Sequence, residues 1–354
     1  MKKVLLFLCA LTLVYYASPI SAQAGKVLLK VPVAFGTHLP GLGTPIRKFE
    51  KWVNAAGGGS VKVKVYEPKK LVAPFEILGA VSSGKINAGY STAGYWAGKI
   101  KAAPLFSAVP FGPGGGEYMA WLYFGNGRKL YQEMYDKHGF KVKVIPCAII
   151  APETSGWFSK PINSAADLKG LRMRFFGLGG KVMNKLGVST SLLPGGEIFP
   201  ALEKKAIDAT EFSMPAIDER LGFYKIVKYN YFPGWHQQAT VFELLINKNT
   251  WKGLNNSQKT LIEMACKATM AWSFAEGEGL QFAAMQRNNT PKRGVKTKYW
   301  SKKMLGTFRK AWNEVQKDMY AKDAFFRKVW DDFQKFHKGY QVWQSHAYLP
   351  LPKR

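Results

Sequence analysis

Apolar positions recur along this chain in two alternating rhythms. From Val27 to Ala34 they fall near every second residue, which predicts a strand. After the turn-rich stretch Phe35-Gly36-Thr37-His38-Leu39-Pro40-Gly41 the spacing lengthens. Over Pro45 to Ala55, Ile46, Phe49 and Val53 share one helical face. Val61 to Tyr66 alternates again, Phe75 to Ser83 reads as a helix and Ile86 to Tyr90 as a short strand. A second series starts at Lys141 to Ile150 with a strand, followed by a strand at Gly156 to Phe158 and a short helix opening at Ala165. It continues with a strand at Leu171 to Phe175, helices at Lys181 to Leu186 and Ile198 to Lys205, and a strand at Ile207 to Phe212.

Strands alternating with helices predict a parallel or mixed sheet covered by helices, an α/β fold. Two series of similar size predict two lobes with a cleft between them, a favoured place for a ligand. Leu244 to Asn247 adds a strand. Ser257 to Arg287 then reads as one helix, capped by Asn256 or Ser257 and longer than globular helices usually run. Such a helix has the reach to lie along both lobes. Two amphipathic helices follow, at Lys302 to Tyr320 and Lys322 to His337. The expected division is a first lobe over 25–145 with a crossing strand near 239–250, a second over 146–238, and the long and C-terminal helices over 251–354.

Residues 1–24 stand apart. Lys2 and Lys3 precede the apolar run Val4 to Ala17, and Ala22-Gln23-Ala24 offers small residues for cleavage. This is the layout of a secretory signal peptide, its apolar run falling short of the roughly 20 residues a spanning helix needs. The mature chain then works outside the cytoplasm, in the periplasm. The net charge of +28 is spread along the sequence, without the clustered arm or motif of a nucleic-acid binder, and reads as a general attraction for small anions. Beyond the leader only Cys147 and Cys266 remain. Nothing in their spacing requires a bond, and both lie in apolar segments, so buried free thiols are expected.

The candidate chemistry is sparse. Gly177-Leu178-Gly179-Gly180 follows a strand and precedes a helix, but Val182 stands where a dinucleotide loop needs a small residue, and no acid follows at the required distance. Such a run also lets a chain pass close to a neighbour. No Gly-x-Ser-x-Gly elbow occurs and no cysteine stands beside a histidine. Glu153 and Glu211 fall on different strands with no supporting base in view. Arg174 ends an apolar strand beside the glycine run. Its planar guanidinium suits a carboxylate, though a surface role like that of Arg172 fits the pattern equally.

Several segments together carry a family resemblance: Leu39-Pro40-Gly41-Leu42-Gly43-Thr44, Ala80-Val81-Ser82-Ser83-Gly84, Tyr95-Trp96-Ala97-Gly98-Lys99 and Ala108-Val109-Pro110-Phe111-Gly112. Further on come Gly156-Trp157-Phe158, Leu168-Lys169-Gly170-Leu171-Arg172-Met173-Arg174, Phe176-Gly177-Leu178-Gly179-Gly180, Leu193-Pro194-Gly195-Gly196-Glu197-Ile198 and Pro233-Gly234-Trp235-His236. The sequence resembles the substrate-binding proteins of tripartite ATP-independent periplasmic (TRAP) transporters, in the branch that binds 2-oxo acids and lactate. The resemblance implies the two-lobed periplasmic binding protein fold, with a spanning helix and closure over the ligand. It places the ligand-gripping arginine at Arg174. It also implies a calcium or sodium ion bridging ligand and protein, held by Glu153, Glu211, the carbonyl of Phe212, and Gln237. Tyr95, Trp96, Phe158, Phe212 and His38 would complete the ligand's surroundings, together with Glu153. The implied partners are a small monocarboxylic 2-oxo or 2-hydroxy acid, a membrane permease, and a second copy through the C-terminal helices. The branch often carries Gln and Glu where this chain has Glu153 and Gln237, and commonly Trp where it has Phe212. The first two changes together keep two carboxylates. A periplasmic enzyme using the same cation, or an envelope protein binding anions through its basic surface, are the rival functions.

Overall fold

The computed structural model describes residues 25–349; the leader expected over 1–24 lies outside them. The chain begins with β1 (Val27–Pro32), α1 (Thr44–Ala56), β2 (Val61–Tyr66), α2 (Ile77–Ser83) and β3 (Ala88–Ser91). It continues through α3 (Gly115–Phe124), α4 (Gly127–Lys137) and β4 (Val142–Ile150). The second series is β5 (Gly156–Phe158), β6 (Arg172–Arg174), α5 (Gly177–Lys185), β7 (Ser189–Ser191), α6 (Gly195–Glu203), β8 (Ala209–Thr210), α7 (Pro215–Leu221) and β9 (Tyr229–Phe232). Then come β10 (Thr240–Asn247), α8 (Lys248–Gly253), α9 (Asn256–Asn288), β11 (Lys296–Tyr299), α10 (Lys302–Lys322) and α11 (Ala324–Ala347).

The strands form two groups. In the first lobe β1 and β2 run parallel, a single bridge from Val33 to Tyr90 joins them to β3, and β10 lies antiparallel between β3 and β4. The second lobe has a six-stranded mixed sheet in the order β11-β9-β5-β8-β6-β7. This is the α/β two-lobed architecture that the alternation predicts. β10 departs from the second lobe to pair in the first, so the chain crosses outward after β4 and back before β10, and it crosses again along α9 to reach β11. β4 stays in the first sheet to Ile150, later than a change of lobe at 145, and β11 belongs to the second sheet instead of the C-terminal helices.

The long helix α9 has 33 residues, about 50 Å at 1.5 Å per residue. Its cap is Asn255, one position before those expected: the Asn255 side chain accepts from the Gln258 N–H at 2.8 Å, and Gln258 returns a bond to the Asn255 N–H at 2.9 Å. Along its length α9 packs on α1 and β4 of the first lobe and on α7 of the second. Ser273 Oγ accepts from the Ile149 N–H at 2.9 Å and donates to the Ile149 carbonyl at 2.8 Å. Gln281 accepts from the Ala216 N–H at 2.9 Å. Cys147 and Cys266 are joined as a disulfide, against the expectation of free thiols. The apolar pattern correctly buries both, but only the packing of α9 across β4 brings their Cα atoms to 4.2 Å. Among the described residues no helix is long and apolar enough to cross a membrane.

Candidate functional site

The site forms where loops at the ends of β4, β6, β8 and β9 meet. β6 and β8 run parallel, with Arg174 level with Thr210, so Arg174 and Glu211 leave the sheet side by side. The loop after β9 comes against the loop after β4. A Cβ on Gly234 would lie 2.2 Å from the Glu153 carbonyl, so only glycine allows that approach. Gln237 is thereby set beside Glu153.

Every polar side chain gathered here is buried: Glu153, Arg174, Glu211, His236 and Gln237 are at most 4% exposed. Each carboxylate has one oxygen engaged and one free. Glu211 Oε1 accepts from Arg174 Nη1 at 2.7 Å and from the Phe176 N–H at 2.5 Å. Glu153 Oε1 accepts from Gln237 Nε2 and Thr240 Oγ1, both at 3.1 Å. Glu153 Oε2, Glu211 Oε2, Gln237 Oε1 and both ring nitrogens of His236 have no hydrogen-bond partner among the described residues. Five orphaned polar atoms in one buried place carry a large desolvation cost. A cation with water or ligand oxygen would satisfy them, and the donor set of carboxylate and amide oxygens suits a hard ion. The residues present therefore fit a bridging cation.

The electrostatics point the same way. Burial pushes the Glu153 carboxyl well above the ordinary carboxylate range, and the nearby Glu211 and Asp218 charges push it further. Burial acts on Glu211 too, but Arg174 and His236 beside it outweigh burial and hold it below that range. Burial also pushes the Tyr95 phenol up to about 12, so Tyr95 keeps its proton as a donor.

Arg174 is not a surface residue. Nη1 donates to both the carbonyl and Oε1 of Glu211 at 2.7 Å, Nε donates to the Leu193 carbonyl at 3.2 Å, and the guanidinium lies 5.1 Å over the Phe212 ring. Nη2 is the nitrogen left without a bond to a described residue. Above this floor sits a small cavity with Thr92, Glu153, Arg174, Gln237 and Thr240 as its polar lining and Phe35, Leu42, Tyr95, Phe176, Phe212 and Phe242 as its walls. Its remaining space is about 20 Å³, room for one or two waters. The lobes are closed on it. The Phe176 ring lies 2.1 Å from where a Cβ on Gly94 would stand, and Lys69 reaches Glu197 across the rim at 2.7 Å.

Tyr95, Phe212, Glu153, Glu211, Arg174 and Gln237 are thus brought together. Trp96, expected to face the ligand, instead points into the first lobe, its indole donating to buried Glu243 at 2.7 Å. Phe158 lies inside the second lobe against Tyr231 and Trp300, away from the cavity. Both rings are buried in the core of their own lobe and do not line the cavity. His38 lines an outer cavity of about 270 Å³ that shares Phe35 and Phe212 with the inner one. The base absent from the pattern is His236, 3.6 Å from Glu211 Oε2. The glycine run also finds its reason: Gly179 has Phe175 and His236 packed at 2.5 and 2.9 Å from its missing Cβ.

The profile of the bacterial extracellular solute-binding proteins, family 7, matches residues 40–323. A monocarboxylate 2-oxoacid-binding periplasmic protein of Nostoc is 32% identical over 329 residues, covering 91% of this chain and 88% of the relative. A TRAP transporter solute-binding protein from Bordetella bronchiseptica, with calcium and picolinate in one site of a mixed-occupancy dimer, has a TM-score of 0.88 at 27% identity over 91% of this chain and 95% of its own. A protein of the same kind from Pseudoalteromonas atlantica, with bound sodium and pyruvate, has a TM-score of 0.86 at 28% identity, over 91% and 97%. So has one from Colwellia psychrerythraea, with calcium and pyruvate, over the same shares.

Proposed function

The chain belongs to family 7 of the bacterial extracellular solute-binding proteins, the receptors of TRAP transporters, and from that premise we propose that it captures a short monocarboxylic 2-oxo or 2-hydroxy acid in the periplasm and delivers it to a membrane permease. Its task is binding, as for the receptors of its family, and not turnover. The observation that carries the reading is the set of orphaned oxygens on Glu153, Glu211 and Gln237 beside Arg174, facing a small cavity walled by aromatic rings.

Arg174 anchors the ligand carboxylate. With Nη1 held by Glu211, the fork it offers is the edge formed by Nη2 and Nε, the latter giving up its long bond to Leu193. Glu153, Glu211, the Phe212 carbonyl and Gln237 hold the cation, calcium or sodium as in the similar structures. That cation offers the acid's carboxylate and its neighbouring oxygen a shared charge partner. Without it, two buried carboxylates would repel an anionic ligand. Tyr95 donates from above, and Phe35, Phe212 and Phe242 limit the length of the acid's tail.

The second copy proposed as a partner meets the C-terminal end of α11. From Gln341 onward every described residue of that helix is exposed, including Val342 at 62% and Trp343 at 61%. Such apolar side chains on a helix clear of its own lobes suit a symmetric contact, and the Bordetella relative crystallised as a dimer. Calorimetry with pyruvate, lactate, branched 2-oxo acids, dicarboxylates, sugars and amino acids tests the proposed ligand. Heat is expected for the short 2-oxo and 2-hydroxy acids. Binding of sugars or amino acids with none for these acids overturns the reading.

A further inference from the structure

Glu243 lies outside the cation site and touches no part of the ligand cavity, yet it is fully buried on β10. A buried carboxylate needs donors or a counter-charge. Here every partner is a neutral donor. Trp96 Nε1 donates to Oε1 at 2.7 Å, the Tyr131 hydroxyl donates to Oε2 at 2.5 Å, and the Tyr135 hydroxyl reaches both oxygens at 2.9 and 2.7 Å. The two tyrosines stand four residues apart on α4 and so share one face. Tyr118 of α3 is the next titratable group, beyond Tyr131, and its hydroxyl donates to the Leu105 carbonyl. On the neighbouring strands Ser91 and Pro146 pair with Glu243 and carry no charge. α2 brings no titratable residue to β10, and α8, at the strand's far end, turns Lys248 to Asp136. Two walls of the ligand cavity hang from this cluster. Tyr95 precedes Trp96 in the helical turn Ala93–Trp96, Phe242 precedes Glu243 on β10, and both rings line the cavity. Phe35 packs against both, at 5.6 Å from Tyr95 and 5.3 Å from Phe242. The ladder from β10 to β4 slips its register between Phe242 and Glu243, so the side-chain contacts of Glu243 share in fixing the strand there.

We propose that Glu243 is a proton-sensitive positioning residue for acid capture: as a carboxylate it gathers Trp96, Tyr131 and Tyr135 and so sets Tyr95 and Phe242 in the cavity wall, and on taking a proton it loosens that wall. This rests on the acid-capture reading above and adds a control on it. A proton on either oxygen turns an acceptor into a donor and meets the hydroxyl or indole that had donated to it, so one contact breaks. Burial pushes the Glu243 carboxyl up to about 7, against the three donors that favour its charged form. The wall is therefore held above that pH and loosens as the pH falls through it.

The test titrates pyruvate by calorimetry, at saturating calcium, into the full mature chain and its Glu243→Gln variant at steps from about pH 8 to about pH 6. The amide keeps the size of the carboxyl and takes up no proton. Glu153, also pushed up by burial, weakens both proteins alike as it protonates, so the difference between the two profiles is the reading. Parent affinity is expected to fall at least about threefold more than that of Glu243→Gln, the worth of one hydrogen bond. Because Glu243 is buried and its variant can fail to fold, Tyr131→Phe supplies a second reading. It keeps the carboxyl but removes one donor to the charged form, so the fall should move to higher pH. Parallel profiles of the parent and a folded Glu243→Gln, or a fall in Tyr131→Phe at the parent's own pH, overturn the proposal and leave Glu243 as a structural acid. No binding of pyruvate or lactate to the parent at any pH overturns the acid-capture reading together with it.

Discussion

Arg174 shows how much one residue's surroundings decide. Its pattern in sequence allowed a surface role, and only the parallel pairing of β6 with β8 buries it against Glu211. Arg174→Ala leaves Glu211 without its partner and removes the ligand's anchor. Loss of one member of a desolvated charge pair costs about 2–5 kcal/mol, so acid affinity should fall by at least about thirtyfold. Arg174→Lys keeps the charge without the planar fork and should weaken binding strongly. Equal calorimetric affinity of Arg174→Lys and the parent would exclude the fork. Phe212 divides the inner cavity from the outer one of about 270 Å³. Phe212→Ala should join them and shift preference from pyruvate toward longer branched 2-oxo acids. Competition between the two acids measures this, and an unchanged preference would remove Phe212 as the length gauge. The charged members of the site were legible in sequence because the family resemblance falls on them one by one. His236 was not, because its place beside Glu211 depends on a loop that folds back from β9, and no spacing encodes that. Trp96 and Phe158 were misplaced because the sequence does not say which side of a lobe a ring faces.

At the scale of elements, the alternation of strand and helix was readable wherever one face of an element is buried and the other wet. β2 and β5 fall where the pattern puts them, and α9 within a residue at each end. α3 and α4 escaped it. α3 has apolar residues all round, among them buried Tyr118 and Trp121 and exposed Phe124, so no stripe marks its face. The disulfide was hidden because it depends on how α9 crosses β4 and not on either segment alone. It closes a sequence separation of 119 and ties the spanning helix to the strand that carries the chain between lobes. Replacing Cys147 and Cys266 with Ser should cost about 2–4 kcal/mol and lower the melting temperature in step with reduction of the parent. A double variant melting with the oxidised parent would show that the bond does not hold α9. A disulfide also accords with an extracytoplasmic location.

The whole molecule joins these parts into a closing clamp. Two lobes meet over a buried cluster, α9 runs along both, and the rim is bridged by Lys69 with Glu197 and by Arg220 with the His38 carbonyl at 2.9 Å. Lobe closure removes water from charges that tolerate its loss only when balanced. Arg174 supplies one positive charge against Glu153, Glu211 and the ligand's own carboxylate. A cation restores that balance, and a ligand present at about a hundred times its dissociation constant then adds about 2.7 kcal/mol to the closed form. The decisive measurement is a titration of pyruvate into protein stripped by chelation and exchanged into sodium-free choline buffer. The cation mechanism predicts that affinity collapses there and that a single added ion restores it. Undiminished affinity in the stripped, sodium-free protein would contradict it and leave Arg174 as the only anchor.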